Sequence, residues 1–377
     1  MKKAVIAPDS FKGTMSSPEV CEILCRAFAK IRPATKTVEI PVADGGEGTT
    51  DAFLYAVGGT RVYANTKNPL FEDMEAYYAI LNDKKTAVIE TAAASGLTLI
   101  ENRKSPMDAS TYGTGLLIKD ALDRGCEKII LGLGGSATTD GGAGLISALG
   151  VRLLDAGGRE LTPSNRGLAS LSHIDDAALD TRLKNCEFTV ACDVDNTLCG
   201  PFGAAHIFGP QKGADEETAD TMDANLLHYA EVLREKTGKD IKDIPKTGAA
   251  GGILASLLSF PEYIGCRICS GIDIILDAAN FDAAIGDADI VITGEGRFDS
   301  QSLYGKAVSG VAKRAKKQNV PVIVIAGSAG GYGDKVYGLG IKAVFAACAG
   351  VYPDFGELKK RCAEDLSKTA ENVLRLL

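Results

Sequence analysis

Short apolar runs that each end in a polar or glycine-rich loop constrain this chain most. Residues 4–7 run into Pro8-Asp9-Ser10-Phe11-Lys12-Gly13-Thr14, and residues 38–42 into Ala43-Asp44-Gly45-Gly46-Glu47-Gly48-Thr49-Thr50. Residues 128–133 run into a loop from Gly134 to Gly144, residues 188–191 into Cys192-Asp193-Val194-Asp195-Asn196, and residues 289–293 into Gly294-Glu295-Gly296-Arg297. A strand that is apolar throughout is covered on both faces, which is the habit of parallel sheets, and such sheets bind ligands at loops beyond the strand C-termini. Helical patterns lie between the runs. Ser16-Ser17-Pro18-Glu19 reads as a capped helix start, followed by an i, i+4, i+8 stripe at Val20, Leu24 and Phe28. The fold class is therefore α/β with a parallel sheet.

Both ends of the chain show this alternation; further runs at 320–325 and 342–347 are read as strands, and 306–317 and 355–377 as helices. The middle differs. Residues 61–63, 76–81 and 85–90 look like short strands with a turn at Asn82-Asp83, which suits antiparallel pairing. At 377 residues two domains are expected. The reading is a Rossmann- or flavodoxin-like parallel-sheet domain made of 1–60 plus 286–377, with a second, mixed α/β domain, 61–285, inserted.

A net charge of −8 argues against a nucleic-acid or anionic-membrane partner. The N-terminal apolar run stops at Pro8-Asp9, too short for a signal or a span, so a soluble, cytoplasmic chain is expected. The ten Cys read as thiols packed as small hydrophobes. Cys266-Arg267-Ile268-Cys269 has no second ligand pair, and the three His stand at no ligand spacing.

Each loop carries chemistry and a plainer alternative. Asp9, Ser10 and Lys12 can offer an acceptor, a donor and a phosphate-binding cation, or form a capped loop with a solvated lysine. Asp44 and Glu47 beside three glycines suggest Mg²⁺ or a substrate hydroxyl, or else a tight turn. The run with Gly134, Gly135, Ser136, Thr138, Asp140, Gly141 and Gly142 has small residues and free N–H groups ahead of a helix, as a phosphate cradle needs; close helix–strand packing would need the same residues. It lacks the Lys-Ser/Thr ending of a P-loop. Asp193 and Asp195 alternate and could hold Mg²⁺, or build an Asx turn. Gly294, Glu295, Gly296, Arg297, Asp299 and Lys306 suit a carboxylate and phosphates, or a solvated surface loop.

Taken together, these motifs, with Phe208-Gly209-Pro210-Gln211-Lys212-Gly213, resemble the bacterial glycerate kinase family from Ala7 to about Gly350. The resemblance implies ATP-dependent phosphorylation of D-glycerate, commonly at the 2-hydroxyl. It also implies a discontinuous Rossmann- or flavodoxin-like domain with a second α/β domain inserted. On that basis the ATP phosphates are expected on the Gly134-to-Gly144 loop, Lys212, Gly294, Glu295, Gly296 and Lys306, and Mg²⁺ near Asp193 or Asp195. Glycerate is expected among Asp9, Ser10, Lys12, Glu47, Arg297 and Asp299, with Asp44 or Asp193 as base. The chain departs from the family pattern at Thr139, Thr197, Leu254 and Val308, and residues 65–70 lack the expected glycines; the class is unaffected. A dinucleotide oxidoreductase would require GxGxxG after the first strand, where Pro8 to Gly13 stand instead. A small-anion binding protein would need fewer acids.

Overall fold

The computed structural model describes residues 1–303, 307–347, 350 and 352–377. The chain divides into two compact units, one of Met1–Asp44, Asp51–Gly58 and Ser270–Leu377, the other of Gly45–Thr50 and Gly59–Cys269.

The first unit is built on five parallel strands in the spatial order Ile341–Ala346, Val322–Ala326, Ile290–Thr293, Lys3–Ile6, Lys36–Glu39. Numbered along the chain within this unit, that is the doubly wound order 2-1-3-4-5 of flavodoxin-like sheets. Val322–Ala326 is buried along its whole length, as a central strand covered by helices must be. The helix Ser17–Ile31 starts as its sequence dictates: Ser16 accepts the Glu19 N–H while the Glu19 carboxylate accepts the Ser16 N–H. Its Val20, Leu24 and Phe28 pack with Leu366, Ala370 and Leu374 of the closing helix Phe355–Leu376. Burying each large side chain there contributes about 1.5–3 kcal/mol, enough in sum to clamp the base of the loops above. The second strand lies earlier than its apolar run suggested, at Lys36–Glu39 rather than 38–42. Ile40 and Val42 stay buried and donate to Ile6 O and Pro8 O, so the apolar run marks the covered path toward Asp44 rather than the ladder.

The second unit holds a six-stranded sheet. Gly265–Cys269, Glu187–Ala191, Lys128–Gly132 and Thr86–Glu90 are parallel, while Asp73–Leu81 and Gly59–Lys67 continue it antiparallel. The expected turn at Asn82-Asp83 is present, with Asp83 accepting the N–H groups of Lys85 and Thr86. The longest helix of this unit, Glu216–Thr237, is absent from the strand-based reading. Its start and stop are nonetheless written locally: Asp215 caps Thr218 N–H and Gly238 ends it at φ 73°. Cys266 and Cys269 lie three apart on one strand, so they face opposite sides of the sheet and cannot form a ligand pair. The nine cysteines among the described residues are free thiols. No helix among those residues is long and apolar enough to cross a membrane.

Candidate active site

In the first unit the order of strands reverses between Lys3–Ile6 and Ile290–Thr293, from which the chain goes on to strands on opposite sides of the sheet. This topological switch point is where doubly wound sheets open a crevice for ligands. The two loops are stitched together by backbone: Asp9 N–H donates to Gly294 O at 2.8 Å, and Thr293 Oγ1 donates to Ala7 O at 2.7 Å. Gly294 is required by packing, since a Cβ there would meet Ile325 O at 1.9 Å. Gly296 runs close over Phe11 and Lys12, where a Cβ would stand 3.3 Å from Phe11 Cα and Lys12 N. A short parallel pairing of Arg297–Phe298 with Ser328–Ala329 fixes the outer part of the loop.

The side chains at this edge form one charged group. Asp9 is only 4% exposed, and its Oδ1 accepts the Ser10 N–H at 2.7 Å. Burial pushes the Asp9 carboxyl up to about 8; the charges of Asp44 and Glu295 add to this, against Lys12 and the Ser10 N–H. Lys12 Nζ stands 3.1 Å from Asp44 Oδ2. Partial burial disfavours the Lys12 ammonium, yet Asp44, Asp9 and Glu295 together outweigh that and raise its pKa. Arg297 reaches toward solvent with Asp299 3.1 Å from its Nε, and the buried Ser10 Oγ has no hydrogen-bond partner. A cavity of about 350 Å³ opens beside the group, with Asp9, Lys12, Asp44, Glu295 and Arg297 in its wall. Lys306 lies outside the described residues.

In the second unit the Gly134-to-Gly144 loop divides into two halves. Asp140 is fully buried, and its carboxylate accepts Thr111 N–H, Thr111 O–H, Gly142 N–H and Gly144 N–H. Burial raises its pKa while those donors hold it back. Gly141 N–H donates to Gly251 O, so the amides around Asp140 are spent inside the protein. Gly141 and Gly142 are packing glycines as well, with φ near 67° and 79° and Tyr229 and Ile253 within 3 Å of any added Cβ. The first half is different. Gly135 is exposed, and Ser136 and Thr138 O receive the Lys212 ammonium at 3.3 and 2.5 Å. Lys212 is 2% exposed; burial lowers it to about 8, partly offset by Asp140.

Glu47 is exposed in the Gly45–Thr50 segment, whose glycines pack on Gly132 and Gly134. Asp193 is half-buried after the Glu187–Ala191 strand, and the exposed Asp195 is ion-paired with Lys246 at 2.8 Å. Among the described residues no cluster of three or more His, Cys, Asp or Glu could hold a metal. Part of the cavity wall escaped the sequence reading: Phe355, Leu358, Cys362 and Asp365 from the closing helix. Their 355, 358, 362 spacing was a usable signal, a stripe preceding the core stripe of Leu366, Ala370 and Leu374.

A flavodoxin-like sheet whose switch point presents a buried carboxyl, a lysine and an arginine defines an α/β enzyme directed at anionic small molecules. Comparison with known proteins narrows the class. The glycerate kinase family model matches residues 4–377. The chain is 47% identical over 376 residues to the glycerate 2-kinase of Escherichia coli, covering all of this chain and 98% of that one. It is 45% identical over 372 residues to the glycerate kinase of Bacillus subtilis, covering 98% and 96%. A Salmonella typhimurium LT2 crystal structure described as a glycerate kinase 2 superposes with a TM-score of 0.86 at 41% identity, covering 100% and 98%. The chain belongs to the glycerate kinase family, and is accordingly a kinase with an alcohol group as acceptor and ATP as phosphate donor.

Proposed function

We propose that the chain phosphorylates D-glycerate at its 2-hydroxyl, giving 2-phosphoglycerate, in the cytoplasm, and that its two compact units are two domains. The observation that carries the chemistry is the buried Asp9 held between Lys12, Asp44 and Glu295 at the switch point. A carboxyl poised near 8 is matched to a general base working close to neutral pH. Its Oδ1 is engaged by the Ser10 N–H, so Oδ2 is the atom that takes the hydroxyl proton. A glycerate hydroxyl is far less acidic than a carboxyl, so the proton moves as the new P–O bond forms. Lys12 and Arg297 face the substrate carboxylate and the charge that grows on the transferring phosphoryl group, and Asp44 aims Lys12. Ser10 Oγ supplies a hydrogen bond to glycerate that the protein itself leaves unmade. This gives Asp9 the role that the sequence reading left between Asp44 and Asp193.

Exposed Gly135 with Ser136, Thr138 and Lys212 forms the second anion-accepting group, where an arriving phosphate stabilises the Lys212 ammonium against its burial. Asp193 and Asp195 are the carboxylates assigned to Mg²⁺. A pair suits an ion that completes its shell from water and phosphate, provided Lys246 yields Asp195. Bound there, Mg²⁺ would neutralise phosphate charge. Phosphorus NMR of the product after incubation with ATP and D-glycerate tests the position of transfer. A phosphate coupled to the single C2 proton supports the reading; one coupled to two C3 protons refutes it.

A further inference from the structure

The switch-point cavity is larger than its charged end requires. Its volume of about 350 Å³ falls in the roughly 300–1,000 Å³ range of sites that enclose a drug-sized ligand, whereas glycerate is a three-carbon acid. The wall has two characters. Beside the charged group already described it includes Phe11, Ala347, Phe355, Leu358 and Cys362, the last three on one face of the closing helix. Glycerate, polar at every carbon, gains nothing from those apolar groups.

We propose that the apolar part of this wall seats the purine base of the phosphoryl donor. The proposal rests on the kinase reading and adds the location of the nucleoside. Phe355 stands at the first position of the closing helix, 58% exposed, with its ring edge over Gly13. An aromatic ring left open at a cavity mouth costs water contact unless something flat covers it, and a base does so. Gly13 has φ 80°, and a Cβ there would press within 3.1 Å of the Phe355 ring, so glycine at this turn leaves room for the ring to lie over the loop. Buried Asp365 accepts the Tyr352 hydroxyl and lines the cavity from the same helix. A carboxylate has acceptor capacity beyond one hydrogen bond, which suits the exocyclic amine of adenine and opposes the O6 carbonyl of hypoxanthine. The competing cradle around Asp140 has its amides spent internally.

The test is calorimetric titration of the full chain with ADP and with IDP, without glycerate, on wild type, Phe355→Ala and Cys362→Trp. Phe355 is mostly exposed, so its truncation leaves the core intact, and thermal melts check both variants. The proposal expects ADP to bind about tenfold more weakly to Phe355→Ala and to lose measurable binding when Trp fills the cavity at position 362. It also expects wild type to favour ADP over IDP about tenfold. Folded variants that bind ADP as wild type does overturn it, as does equal binding of ADP and IDP. Failure of wild type to release ADP with D-glycerate, with ADP binding as expected, would sink the substrate reading and leave the cavity assignment standing.

Discussion

Replacing Asp9 by Asn removes the proposed base while keeping the shape of the group that fills its space. Asp9 is 4% exposed and its carboxyl lies near 8, so at about pH 6 roughly one molecule in a hundred carries the ionised form, against half at about pH 8. With the ionised form as base, kcat/KM for glycerate should rise roughly fifty-fold between those two pH values. Asn cannot accept the proton, so Asp9→Asn should lose about 10²- to 10⁴-fold in kcat and flatten the profile. The assay is steady-state ADP release against pH, with saturating ATP and varied glycerate. A wild-type profile flat between about pH 6 and 8, or an Asp9→Asn variant within a few-fold of wild type, would refute the assignment.

The same burial has a stability signature. Because the folded Asp9 pKa lies above its unfolded value of 3.8, the folded state binds the extra proton, so wild-type stability should fall as pH rises toward 8; Asp9→Asn should lack that fall in urea titrations. Lys212 has the opposite sign: lowered from 10.5 to about 8, it releases its proton earlier when folded, so stability should rise between those values in wild type and not in Lys212→Met. Asp140→Ala strands the N–H groups of Thr111, Gly142 and Gly144 and should cost about 3–5 kcal/mol by chemical denaturation. Lys12→Met should raise KM for glycerate about tenfold or more with a smaller change in the ATP KM, measured by initial rates.

The parallel sheet was legible because buried parallel strands such as Val322–Ala326 are apolar at every position, and such short runs recur here between helical patterns. The helix Ser17–Ile31 was legible to its capping box. Glu216–Thr237 was not, because its polar residues dilute the buried stripe of Met222, Leu226, Tyr229 and Leu233, although Asp215 and Gly238 mark both ends. At the site, Asp9, Lys12, Asp44 and Arg297 could be named from their loops, but sequence does not say which strands are neighbours. Only the 2-1-3-4-5 order puts the Pro8 and Gly294 loops side by side and makes Asp9, not Asp44, the buried acid. The Gly134-to-Gly144 run shows the converse. Glycines that admit a phosphate and glycines that admit Tyr229 and Ile253 look the same in sequence, and here Gly141 and Gly142 do the second.

Release of ADP from ATP on addition of D-glycerate, followed with the purified full chain, bears most directly on the enzyme's substrate. A glycerate-dependent rate that saturates and collapses in Asp9→Asn is the predicted result. A rate no greater than ATP hydrolysis without glycerate would contradict it.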